Sequence, residues 1–187
     1  MRAIDLACRA ALLVVFCVAA QSKLKKGALR ELAESLGSFA VPAPLRETVA
    51  WSVLVAEVMV VVTVVAMPRL GRLLALALSA FLAFGMAIAV GSGKATVCRC
   101  FGSSTTAVGK PHLVRNFVIF SIAAASLFAS VSGAPLTGTL EETWPGIFGG
   151  VVAGGLLTLW DDLLFLFIPS QPEKPSRTRL PSKPGLS

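Results

Sequence analysis

The sequence predicts an all-α, polytopic transmembrane helical bundle: a four-helix core with a fifth span at its C-terminal end. Apolar residues make up 55% of the 187-residue chain and charged residues only 14%, against about 25% charged in an ordinary soluble domain. Mean hydropathy is +0.79. The apolar residues also come in long runs rather than one-sided stripes, so lipid is the expected solvent. The net charge of +7 lies in loops and tail with no basic stripe or aromatic platform. It points to anionic lipid headgroups and away from nucleic acid.

Span one covers about residues 4–20, with Asp5 and Arg9 at i, i+4 and so placed to pair on one helix face. Arg2, the uncharged run 10–20 and Ala19–Ala20 before Gln21 also suit a signal peptide. Asp5 is out of character in a positive leader, and the segment is expected to be retained. Residues 22–44 are polar and basic, with Leu24, Ala28, Leu29, Leu32, Ala33 and Leu36 at helical spacing before Gly37 and two prolines. They read as a short interfacial amphipathic helix. Span two, about 49–67, holds one charge, Glu57. Pro68 marks a tight turn with Arg69 and Arg72, and span three follows over about 71–90, where residues 73–90 carry no charge. Span four is placed at 117–135 and span five at 145–168. Gly150 and Gly154 in span five have the spacing that lets helices approach closely. These spans form one domain, 1–168. Residues 169–187 contain five prolines and are expected to be a disordered basic tail.

The chemistry is expected in the loop 91–116, which carries Cys98, Cys100, the single histidine His112, and Lys94, Arg99, Lys110 and Arg115. Two cysteines one residue apart close only a small, strained disulfide ring, which reduces easily and suits exchange better than stapling. Arg99 and Lys94 favour the thiolate. Two other readings stand beside this one: a reduced pair without a role, and a metal site in which Cys98, Cys100 and His112 supply ligands. Glu57 lies midway along its span, where a carboxylate is costly unless protonated, paired or facing a polar interior. It is either a functional group or a packed residue bonded to a neighbouring helix. Cys8 and Cys17 fall on opposite helix faces and read as small apolar filler. Arg115 and Asn116 stand at the start of span four as anchors to headgroups or a loop, and Asp161 and Asp162 read as interfacial. No catalytic triad, phosphate loop or haem motif can be assembled around one histidine, so hydrolase and nucleotide chemistry are unsupported. The residues assign no metal and no cofactor, and nothing in them supports a quinone.

The residues Ser22-Lys23, Pro44-Leu45, Glu57, Cys98-Arg99-Cys100-Phe101-Gly102, Val108-Gly109 and Val114-Arg115-Asn116 together resemble the MauE branch of the MauE/DoxX group of redox-associated membrane proteins, over roughly residues 4–131. The specific part is Cys-x-Cys-Phe-Gly followed by Arg-Asn at the next helix. The resemblance implies a DoxX-like four-helix core and an association with methylamine utilisation. It also implies a membrane thiol-redox role beside a thioredoxin-like protein, in maturing the disulfide-rich small subunit of methylamine dehydrogenase. By it, Cys98 and Cys100 are the exchanging pair, and Glu57 and Arg115 match recurrent polar positions.

The distribution of cations pulls the other way. Lys23, Lys25, Lys26, Arg30, Arg46, the four cations of the cysteine loop and Lys174, Arg177, Arg179 and Lys183 fall on one side of a five-span topology, against Arg2, Arg69 and Arg72 on the other. The positive-inside rule then puts the cysteine loop in the cytoplasm, whereas disulfide maturation belongs outside. Two functions are therefore carried forward: a multi-pass accessory redox protein of the cell membrane, and a non-catalytic scaffold or small-molecule carrier built around Glu57.

Overall fold

In the computed structural model, residues 2–39, 41–91, 110–131, 140–160 and 163 are described. They form six helices: α1 (Arg2–Leu24), α2 (Ala28–Ser35), α3 (Arg46–Ala66), α4 (Pro68–Gly91), α5 (Lys110–Val131) and α6 (Leu140–Thr158), with short 3-10 turns at Leu36–Phe39 and Ala43–Leu45. There is no strand among the described residues. Four stretches are long and apolar enough to cross a membrane: Ala3–Leu24, Ala43–Ala66, Pro68–Ile88 and His112–Ala129. The 23 residues of α1 extend ~35 Å, enough for a hydrocarbon core about 30 Å thick. The fifth apolar helix, Thr143–Thr158, is shorter.

Helices α1, α3, α4 and α5 close a ring: α1 packs on α3, α3 on α4, α4 on α5, and α5 back on α1, while α6 lies along the outside of α1. The shared core draws Leu12, Val15 and Phe16 from α1, Val60 and Val64 from α3, Ala75 from α4, and Ile119 and Ala123 from α5. The expected four-helix core with an added C-terminal helix is thus present.

Polarity is inverted relative to a soluble protein. Glu57, Lys23, Arg72, Arg115 and Asn116 are buried, whereas Phe81, Phe84, Phe117, Phe128 and Phe148 are exposed. That is the pattern of a protein dissolved in lipid, where polar groups must be satisfied internally. Ser22, Ser79, Thr63 and Thr158 obey the same constraint by donating to carbonyls three or four residues back in their own helices.

Two joints set the geometry. Between α3 and α4 a single residue, Met67, leaves the helical path. Pro68 takes the first position of α4, where its missing N–H costs nothing, and Gly71 abuts the backbone of Thr63 and Val64. Arg69 and Arg72 therefore lie within α4 rather than in a turn. Between α1 and α2, Gly27 adopts φ 86°, a left-handed backbone that side chains disfavour, and turns the amphipathic α2 onto α3 with Leu32 buried. Ser22 and Lys23 belong to α1, not to the amphipathic segment.

α6 runs parallel to α1 through a glycine seam. A Cβ at Gly146, Gly150 or Gly154 would strike Ala3, Ala7 or Ala11 respectively. Small residues four apart on both helices bring the backbones into contact. Gly150 and Gly154 were legible from their spacing, and Gly146 extends the seam by one turn.

α5 begins at Lys110 rather than near Phe117, so His112, Arg115 and Asn116 are helical and buried. The burial of Arg115 and Asn116 does not suit anchoring to headgroups. Asp161, Asp162 and the tail 169–187 lie outside the described residues.

Candidate functional site

Two buried polar clusters lie at opposite ends of the bundle. Near the N-terminal end of α1, Asp5 accepts from Arg72 Nη2 at 2.8 Å on each carboxylate oxygen. Ser126 of α5 approaches the same carboxylate at 3.5 Å. Arg9 donates to the carbonyl of Val64 at 3.1 Å, one of the last carbonyls of α3, which its own helix leaves without a partner. The expected Asp5–Arg9 pair does not form. Both side chains point between helices, and each takes a tertiary partner instead. This cluster ties α1, α3, α4 and α5 together at one level.

The second cluster centres on Glu57. Lys23 Nζ donates to Glu57 Oε1 at 2.7 Å, with both side chains 1% exposed, and also lies 3.4 Å from the Ala19 carbonyl. A lysine at a helix end ordinarily snorkels to the aqueous boundary. Lys23 does the reverse and folds back into the bundle. Glu57 Oε2 is buried without a hydrogen-bond partner among the described residues. Glu57 is legible in the sequence, whereas Lys23 looks there like a loop cation. The available signal was energetic, because a buried cation is one of the few ways to offset the cost of a carboxylate inside a span.

Helix register relates Arg115 to this pair. Counting equally along antiparallel α1 and α5 from the Asp5–Ser126 contact brings Arg115 about level with Phe16, and the same count from the Arg9–Val64 bond brings Glu57 to that level. His112 stands one turn nearer the end of the bundle. Arg115 and Asn116 are 2% and 3% exposed, and the Asn116 amide donates to the His112 carbonyl at 2.9 Å. The structure therefore gathers Glu57, Lys23, His112, Arg115 and Asn116 into one end of the bundle interior.

Cys98, Arg99 and Cys100 lie outside the described residues. Their segment is tethered at Gly91 and Lys110, at the same end of the bundle as Lys23. Among the described residues no group of three His, Cys, Asp or Glu is placed to hold a metal ion. Cys8 and Cys17 are free and half-buried in α1.

A cavity of about 500 Å³ opens at this end between α1, α2 and α3. Lys23 and Ala50 form its buried part, and Lys25, Arg30, Glu47 and Trp51 its exposed rim. A separate apolar groove of about 280 Å³ lies on the other side of α2, between Leu32, Leu36, Val49, Val53 and Phe81.

The family model described as methylamine utilisation protein MauE matches residues 1–129, which takes in α1 to α5 almost to the end of α5. No curated protein matches the chain, and no solved structure does. The chain belongs to the MauE family and is a multi-pass membrane protein.

Proposed function

With membership of that family as the premise, we propose that this chain is an accessory redox protein of the cell membrane that exchanges thiol and disulfide equivalents with a partner through Cys98 and Cys100. The observation that supports the reading is the match to the MauE family over residues 1–129. Gly91 and Lys110, the helix ends on either side of the cysteine segment, lie at the end of the bundle where Lys23, Glu57, His112 and Arg115 are buried. In the exchange, a partner thiolate attacks the Cys98–Cys100 disulfide, and a mixed disulfide forms as one cysteine leaves as thiolate. A second partner thiolate resolves it, so that two electrons reach Cys98 and Cys100 and the partner gains a disulfide. The reverse sequence reduces the partner. The family's description supports a partner in methylamine utilisation, and this reading takes that partner to be a thioredoxin-like protein or the disulfide-rich small subunit of methylamine dehydrogenase.

A variant in which one of the two cysteines is serine is predicted to trap a mixed disulfide with a thioredoxin-like protein on a non-reducing gel. The double variant Cys98→Ser/Cys100→Ser is predicted to insert normally and trap nothing. Partner oxidation that persists in the double variant contradicts the proposal.

A second reading is favoured by the buried Lys23–Glu57 pair: a scaffold or small-molecule carrier in which these charges do the work. It predicts that the double cysteine variant keeps its function and that Glu57→Gln loses it.

A further inference from the structure

Three features of the second cluster are left unused by a thiol exchange. Lys23 is drawn inward, away from the nearby boundary, to meet Glu57 at 2.7 Å. One oxygen of that carboxylate, Oε2, is buried with no hydrogen-bond partner among the described residues. The cavity beneath α2 has Lys23 itself at its buried end and opens to the exterior past Lys25, Arg30, Glu47 and Trp51. An ion pair excluded from water is seldom a net gain in stability over apolar residues of similar size. Inside a membrane such groups mark ion or proton pathways.

We propose that Lys23 and Glu57 form an intramembrane proton-binding site with a one-sided mouth, the cavity between α1, α2 and α3. In the resting pair Lys23 is an ammonium and Glu57 a carboxylate. The proton shared between Nζ and Oε1 passes to the carboxylate, leaving a neutral amine and a carboxylic acid with no net charge moved. A proton carried by water in the cavity then restores the ammonium. The site has gained one proton and one positive charge, and release runs through the same steps in reverse. With its counter-charge neutralised, the Lys23 ammonium turns towards the cavity, the direction a lysine at a helix end normally takes.

Charged and titratable groups lie on every helix packed around this end of the bundle. On α1, Lys23 faces it, and Arg9 lies deeper on the Val64 carbonyl. On α2, Arg30 and Glu34 pair with each other at the surface. On α4, Arg72 is held by Asp5 at the far end, and Arg69 is exposed there. On α3 itself, Glu47 sits at the cavity rim. Across the bundle, α5 contributes His112 and Arg115. Glu57 is thus the acid of this end of the interior, among bases.

The test is an infrared pH titration of the full-length protein in lipid nanodiscs, in H2O and D2O. It involves no thiol chemistry, so its failure and the failure of the exchange reading are separate results. The expected result is a carbonyl band at the frequency of a carboxylic acid shielded from water, separate from the bands of the exposed acids, that grows as pH falls and shifts in D2O. The band is lost in Glu57→Gln and persists to high pH in Lys23→Met. Ala33→Phe, which fills the α2 wall of the cavity, is expected to slow the D2O shift without changing the final amplitude. Should either single variant fail to insert, Lys23→Met/Glu57→Leu removes both charges and is expected to lack the band. A band that survives removal of Glu57, one that does not shift in D2O, or a shift rate untouched by Ala33→Phe overturns the proposal.

Discussion

At the level of single residues, the positions most sensitive to substitution are a few buried charges. Removing one member of the Lys23–Glu57 pair takes the counter-charge from the other inside an apolar bundle. Such a loss costs on the order of 3–5 kcal/mol, whereas replacing both members with apolar residues is often near neutral. Thermal unfolding in detergent should therefore show Glu57→Gln and Lys23→Met strongly destabilised and Lys23→Met/Glu57→Leu close to wild type. Comparable losses in all three variants would mean that the pair is not the unit described. Glu57 could be identified from sequence because a lone carboxylate in an apolar run has few explanations. Its partner was not legible. Lys23 sits among Lys25 and Lys26, where hydropathy reads only a basic loop, and the pairing spans 34 positions. Asp5 shows the same limit: its near neighbour Arg9 was the local choice, yet Arg72, 67 positions away, holds it.

At the level of elements, the helices were legible wherever apolar length defined them, and obscured wherever polar residues are buried inside a helix. α5 begins at Lys110, but His112, Arg115 and Asn116 made its first two turns look like loop. Only packing against α1 and α4 converts them to helix, because the bundle supplies the polar interior that they require. The docking of α6 rests on contact rather than apolar burial alone. A side chain at Gly150 would collide with the Ala7 carbonyl and lie 2.8 Å from the Ala10 Cβ, whereas Gly149 has open space. Gly150→Leu is predicted to lower the melting temperature and expose α6 to proteolysis, at a cost of about 1–3 kcal/mol or more. Gly149→Ala should be close to neutral. Equal effects would place the α1–α6 contact elsewhere. At the α1–α2 joint, Gly27→Ala puts a Cβ into a left-handed backbone, for a loss of roughly 1 kcal/mol.

At the level of the whole molecule, the inverted polarity and the four long apolar helices describe a multi-pass membrane protein, and the match over residues 1–129 places it in the MauE family. Lys23, Arg72 and Arg115 are buried inside the bundle, so they carry little weight as loop charges. Setting them aside leaves the asymmetry standing, with the cations still concentrated on the side of α2 and the cysteine segment. The architecture was legible because length and hydropathy determine it. The chemistry of Cys98 and Cys100 depends on a segment whose pattern alone speaks for exchange. The most direct measurement is thiol labelling with a membrane-impermeant maleimide, on intact and then permeabilised cells, in a Cys8→Ala/Cys17→Ala variant. An exchanging pair predicts that labelling of Cys98 and Cys100 rises after mild reductant, and the charge asymmetry predicts that it also requires permeabilisation. Labelling that is complete without reductant, and unchanged by it, would contradict the redox account and leave the buried charges as the working part of the protein.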